Sequence, residues 1–120
     1  MQTLTVLEPI EQARLAVHVA EEKLASDIIM LDLVGVCDFA DYFVIMTGEA
    51  DRHLQSLAED IEQALEGRGA VLHHREGTAA GGWVLLDFGD LVLHLFRADE
   101  REFYDVEGAW SRGTAALRIQ

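Results

Sequence analysis

The side chains best able to do chemistry in this chain are Asp87 and Asp90, the histidines at 73, 74 and 94, and the lone Cys37. Two carboxylates could hold Mg²⁺ or share acid–base work. Same-face neighbours on a strand are two residues apart, however, whereas these aspartates are three apart and Asp90 belongs to a turn. His73 and His74 are adjacent, so on a strand they point to opposite faces and cannot share a site. His94 reads as a hydrogen-bonded sheet residue, and Cys37 as a small buried apolar residue with no base placed to activate it. The chain has no G-x-S-x-G, no P-loop and no G-x-G-x-x-G, and Gly67-Arg68-Gly69 reads as a helix stop rather than a phosphate cradle. Serine occurs only at 26, 56 and 111. The residues therefore predict no catalytic group, no metal site and no cofactor.

The stretch that must position Asp87 and His94 is GGWVLLDFGDLVLHLF, residues 81–96, two apolar runs joined at Gly89-Asp90. A two-residue connection of this type predicts a hairpin and fixes its register. Phe88 then faces Leu91, Asp87 faces Val92, Leu86 faces Leu93, Leu85 faces His94, Val84 faces Leu95 and Trp83 faces Phe96. One sheet face collects Val84, Leu86, Phe88, Leu91, Leu93 and Leu95, all apolar, and is the core side. The other collects Trp83, Leu85, Asp87, Val92, His94 and Phe96, a mixed surface that needs a cover. Either a helix of the same chain packs over it, or a partner protein or second subunit docks there, for which aromatic anchors ringed by polar groups are the usual composition.

Around this hairpin the pattern predicts a helix over 9–25, with Pro9 at its first position and Ile10, Ala13, Val17, Ala20 and Leu24 on one face. A strand over 27–34 ends at Gly35, and a short loop leads to a second, well-buried strand at 42–47. Leu54, Leu57, Ile61 and Leu65 mark a second helix from about Asp51, stopped by Gly67 and Gly69. AVLHH at 70–74 is predicted as the third strand and REGTAAGG at 75–82 as an unstructured loop. A last helix at about 100–110 places Phe103, Val106 and Trp110 on one stripe and pairs Arg101 with Asp105, leaving Tyr104 and Glu107 on its flank. The tail, residues 112–120, is predicted to be loosely held. The order α-β-β-α-β-β-β-α describes a small single-domain α/β fold, a mixed sheet with flanking helices spanning residues 1–120, its core about 8–111.

A chain of 120 residues, half of them hydrophobic, is the size of one domain and can bury a core without disulfides or metal. One cysteine leaves no disulfide partner, which points to a reducing, cytoplasmic setting. No basic-then-apolar leader and no run of 18 apolar residues is seen, so no membrane role is expected. With 22 acidic against 9 basic residues and a net charge of −13, the surface repels phosphate and argues against direct nucleic-acid binding. A basic protein surface is the natural partner.

Several segments, taken in order, resemble the ribosomal silencing factor (Iojap) family. They are Asp41-Tyr42-Phe43-Val44-Ile45 with Thr47-Gly48 and Arg52-His53, then Glu76-Gly77, then Trp83 to Asp90 with His94 and Phe96, and finally Arg101, Phe103-Tyr104-Asp105, Glu107 and Trp110. Glu49-Ala50, Val106 and Gly108-Ala109 depart from the family's usual residues. The resemblance implies a fold similar to nucleotidyltransferases but without their catalytic carboxylates. It further implies binding to the large ribosomal subunit through a ribosomal protein at the subunit interface, blocking small-subunit joining when nutrients are short. Carried onto the matching positions, the docking face is Trp83, Leu85, Asp87, His94 and Phe96, edged by Glu76 and Gly77, with Tyr104 and Glu107 contributing. Two rivals are a nucleotidyltransferase-like enzyme or nucleotide-binding domain, and a homodimer that covers the same face with its twin.

Overall fold

A computed structural model describes residues 7–110 and 112–119; the first six positions, residue 111 and residue 120 lie outside the described residues. The elements are α1 (Pro9–Glu22), β1 (Ser26–Asp32), β2 (Tyr42–Thr47), α2 (Asp51–Glu66), β3 (His74–Thr78), β4 (Trp83–Asp87), β5 (Leu91–Phe96), α3 (Ala98–Tyr104), α4 (Val106–Ala109) and β6 (Thr114–Ile119). The strands form one six-stranded sheet in the order β3-β4-β5-β2-β1-β6. It is mixed: β2 and β5 run parallel at its centre, and every other neighbouring pair is antiparallel. The parallel pair is joined by α2 and the β3–β4 hairpin, and its near-continuous apolar sequences suit strands buried on both faces.

Helices α1 and α2 cover one face of the sheet. Ala13, Ala16, Val17 and Ala20 of α1 and Leu54, Leu57, Ala58, Ile61 and Leu65 of α2 bury against Val84, Leu86, Leu91, Leu93 and Leu95. The small alanine face of α1 lets it lie close beside α2, and the predicted core side of the hairpin is therefore the one the helices cover. On the opposite face Ile29, Leu31, Phe43, Ile45, Val92 and Phe96 make a second, smaller cluster, against which Trp83, Leu85, Val106 and Trp110 pack partly buried.

The order of the first eight elements and the position of β2 are as predicted, and several boundaries or assignments are corrected. Helix α1 ends at Glu22 rather than 25, because Leu24 takes a left-handed φ of 63° and the Leu24 and Ala25 amides donate back to Glu21 and Ala20, a Schellman closure. β1 stops at Asp32, whose carboxylate takes the Val34 amide at 3.0 Å and turns the chain. The third strand is not AVLHH but His74–Thr78, which past His74 lies inside the segment expected to be a loop. There the backbone pairs with β4 from His74↔Asp87 to Thr78↔Trp83, so ladder hydrogen bonds decide the strand rather than local hydrophobicity.

The last correction concerns the carboxyl-terminal part. The expected helix at 100–110 is two short helices broken at Asp105, which adopts a left-handed φ of 46° and accepts the Gly108 amide at 3.1 Å as the cap of α4. A side chain at 108 would overlap that carboxylate, so Gly108 goes with the break. The break rotates Phe103 out to 80 % exposure and leaves Val106 and Trp110 on the sheet, and Arg101 pairs with Glu107 instead of Asp105. The tail is not loose either: β6 pairs antiparallel with β1 from Ile28↔Ile119 to Asp32↔Thr114 and forms one edge of the sheet.

Candidate functional site

The β4–β5 hairpin has the register its two-residue turn predicts, from Trp83↔Phe96 to Asp87↔Val92, closed by the Phe88 amide on the Leu91 carbonyl at 2.8 Å. Gly89 has a φ of +92°, which the first position of such a turn requires, and the Asp87 carboxylate accepts the Gly89 amide at 2.8 Å. Asp87 thus stabilises its own turn. Asp90 shares no metal-binding geometry with it, and among the described residues no three His, Cys, Asp or Glu side chains converge on a point.

On the face away from α1 and α2 the aromatic rings stack in layers. Trp83 lies on Phe96 with ring centroids 5.0 Å apart, and Tyr104, delivered by the end of α3, lies on Trp83 at 4.5 Å. The Trp83 indole N–H donates to His94 Nδ1 at 3.2 Å, which places the histidine proton on Nε2. Burial pushes His94 down to about pKa 4, so the ring is neutral near pH 7. Phe43 meets His94 edge-on at 4.9 Å, and Trp110 packs against Phe43 at 5.6 Å.

The cover expected for this face is therefore partial and comes from the same chain. Phe96 is fully buried and His94 is 5 % exposed, so these two support the surface from below rather than forming it. Trp83 and Leu85 are half-buried, and Tyr104 remains 49 % exposed. A hollow of 270 Å³ opens between the sheet and α4, walled by Phe39, Phe43, Trp83, Leu85, Tyr104 and Trp110 among others. A smaller one of 140 Å³ lies on the other side of Trp83 and Leu85, bounded by Glu76 and Gly77 of β3.

Of the predicted docking residues, the fold thus brings Trp83, Leu85, His94, Phe96 and Tyr104 into one patch, with Glu76 and Gly77 at its edge. Asp87 lies at the turn end of β4, and Glu107 is turned into an ion pair with Arg101 at 2.7 Å. Gly77 has a structural reason of its own: its φ is +79°, and a Cβ there would overlap the Trp83 carbonyl oxygen. Phe39, Phe43 and Trp110 were not anticipated as walls of the hollow. Phe43 carried a sequence signal in its alternation along β2, and Trp110 in the stripe it shares with Val106; that they meet depends on a parallel pairing that no local pattern announces.

Residues 6–119 match the family described as ribosomal silencing factor during starvation. The chain is 37 % identical over 97 residues to ribosomal silencing factor RsfS of Bacillus subtilis, an alignment covering 81 % of this chain and 82 % of that one. It is 31 % identical over 98 residues to a mouse protein named mitochondrial assembly of ribosomal large subunit protein 1, covering 79 % of this chain and 43 % of the mouse protein. Among solved structures, a crystal structure of a protein from Chromobacterium violaceum superposes with a TM-score of 0.83 at 30 % identity, over 92 % of this chain and 94 % of that one.

Proposed function

The chain belongs to the ribosomal silencing factor family, and from that premise we propose that it binds the large ribosomal subunit through a basic ribosomal protein at the subunit interface and blocks joining of the small subunit. It thereby represses translation under nutrient limitation, in the cytoplasm, by occupying a surface and not by catalysing a reaction. The family's description and the printed name of the mouse relative, which refers to the large subunit, support this reading.

The observation that carries it is the open aromatic hollow around Trp83 on a chain of net charge −13. Aromatic side chains held rigid by stacking yet still half-exposed are suited to serve as anchors for a partner, and the acidic surface selects a basic one. Geometry supports the steric part. The molecule measures 49 × 32 × 25 Å with 6957 Å² of surface, so a standard footprint of about 800 Å² leaves most of its bulk standing off the subunit as an obstruction.

The test is Trp83→Ala. Half-buried, Trp83 should cost less stability on truncation than the about 3–5 kcal/mol typical of a fully buried tryptophan. As a central anchor it should cost about 2 kcal/mol or more of binding, roughly thirtyfold in Kd. Urea unfolding of the free variant, run beside co-sedimentation with purified subunits, separates the two losses. Undiminished co-sedimentation of the variant with large subunits, or binding of the wild-type chain to small subunits instead, overturns the proposal.

A further inference from the structure

Helix α3 buries none of its residues, yet it delivers Tyr104 onto Trp83. One of its side chains ties it to three other elements. The Arg101 guanidinium, 13 % exposed, donates from Nε to Glu107 Oε1 at 2.7 Å and from Nη1 both to Thr47 Oγ1 at 2.8 Å and to the Asp27 carbonyl oxygen at 2.5 Å. These three partners belong to α4, β2 and β1. The Asp27 carbonyl is available because Asp27 sits at a left-handed φ of 47° where the β1–β2 register shifts. Tyr104 follows Arg101 by three residues on the same helix, so the anchored guanidinium and the phenol ring lie on one side of α3.

Resting on the docking reading above, we propose that Arg101 is a positioning residue for the docking face: by tying α4 to the first two strands it holds Tyr104 against Trp83 and sets the shape of the hollow that the partner reads. The planar fork is what the site uses. Two nitrogens of one rigid group serve three oxygens at fixed angles, which a lysine ammonium on a flexible stem does not reproduce. Glu107, expected to touch the partner, instead acts inward as the far anchor of this strut.

The proposal is tested in a Trp110→Phe background, where Trp83 is the only tryptophan. Arg101→Met should raise acrylamide quenching of Trp83, since Tyr104 lifts away, and weaken large-subunit binding by about tenfold or more, with a fall in the urea midpoint from the three lost hydrogen bonds. Arg101→Lys should fall between, and so should Glu107→Gln, which keeps an oxygen for the Nε donor but loses the charge that strengthens the bond. Unaltered quenching in Arg101→Met overturns the positioning role; altered quenching with undiminished binding overturns the claim that the partner reads this geometry. If Arg101→Met does not fold, Thr47→Val removes a single bond and is judged by the same two outcomes. Should Trp83→Ala bind as well as the parent, the fault lies in the docking reading, and quenching alone decides the role of Arg101.

Discussion

His94 is the residue whose environment most constrains the face. Its Nδ1 accepts from the Trp83 indole, its Nε2 meets no partner among the described residues, and it lies among Phe43, Trp83 and Phe96. Desolvation by these neighbours lowers its pKa from 6.5 to about 4. The sign follows from linkage: the folded state resists protonation, so the unfolded chain binds the proton first and stability falls as the pH drops below 6.5 toward 4. At pH 5 the accumulated loss is about 2 kcal/mol. His94→Gln keeps an acceptor for Trp83 but does not titrate. Between pH 7 and pH 5 the wild-type chain should therefore lose about 2 kcal/mol more stability than the variant in urea unfolding, the carboxylates being common to both. Equal losses would place the ring in contact with water.

At the scale of elements, Asp105 decides how the carboxyl-terminal part lies on the sheet. Its left-handed backbone and its cap on α4 both favour a short polar side chain, and the two demands are met together only by aspartate or asparagine. Asp105→Asn should be nearly silent. Asp105→Ala should destabilise the α3–α4 segment by about 1–2 kcal/mol, visible as loss of amide protection at Gly108 and Ala109 in hydrogen exchange. The same residue shows why part of the site was not legible. Alternation and turn length announced the β4–β5 register and hence the separation of Trp83, Leu85 and His94 from the core face, because a two-residue turn leaves one parity. Nothing local distinguishes an aspartate that breaks a helix from one that pairs four residues back with an arginine, so Phe103 was expected inside and is outside. Likewise Ala70, Val71 and Leu72 read as a strand by hydrophobicity alone, whereas β3 and β6 exist through pairing with β4 and β1. Neither edge strand buries a row of side chains that would reveal it.

For the whole molecule the dominant quantity is charge, and it bears on whether the chain recognises protein or RNA. RNA-binding chains gain affinity by placing Lys and Arg on phosphates and releasing counterions, so their binding weakens steeply as salt rises. Here 22 acidic residues stand against 9 basic ones, and three of the arginines are ion-paired within the fold, Arg75 to Glu62 at 3.7 Å, Arg97 to Asp51 at 2.9 Å and Arg101 to Glu107 at 2.7 Å. An acidic surface repels phosphate at long range, and on the docking reading proposed above it leaves the aromatic face for a basic protein. Filter binding to protein-free large-subunit RNA should give a Kd weaker than about 1 μM at physiological salt, no tighter than non-specific association. Its salt dependence should also lack the usual sign: raising salt from 50 to 200 mM screens a repulsion, so residual binding should hold steady or strengthen rather than collapse. A sub-micromolar Kd that falls steeply with salt would mean that phosphate, and not a basic protein surface, is what this chain recognises.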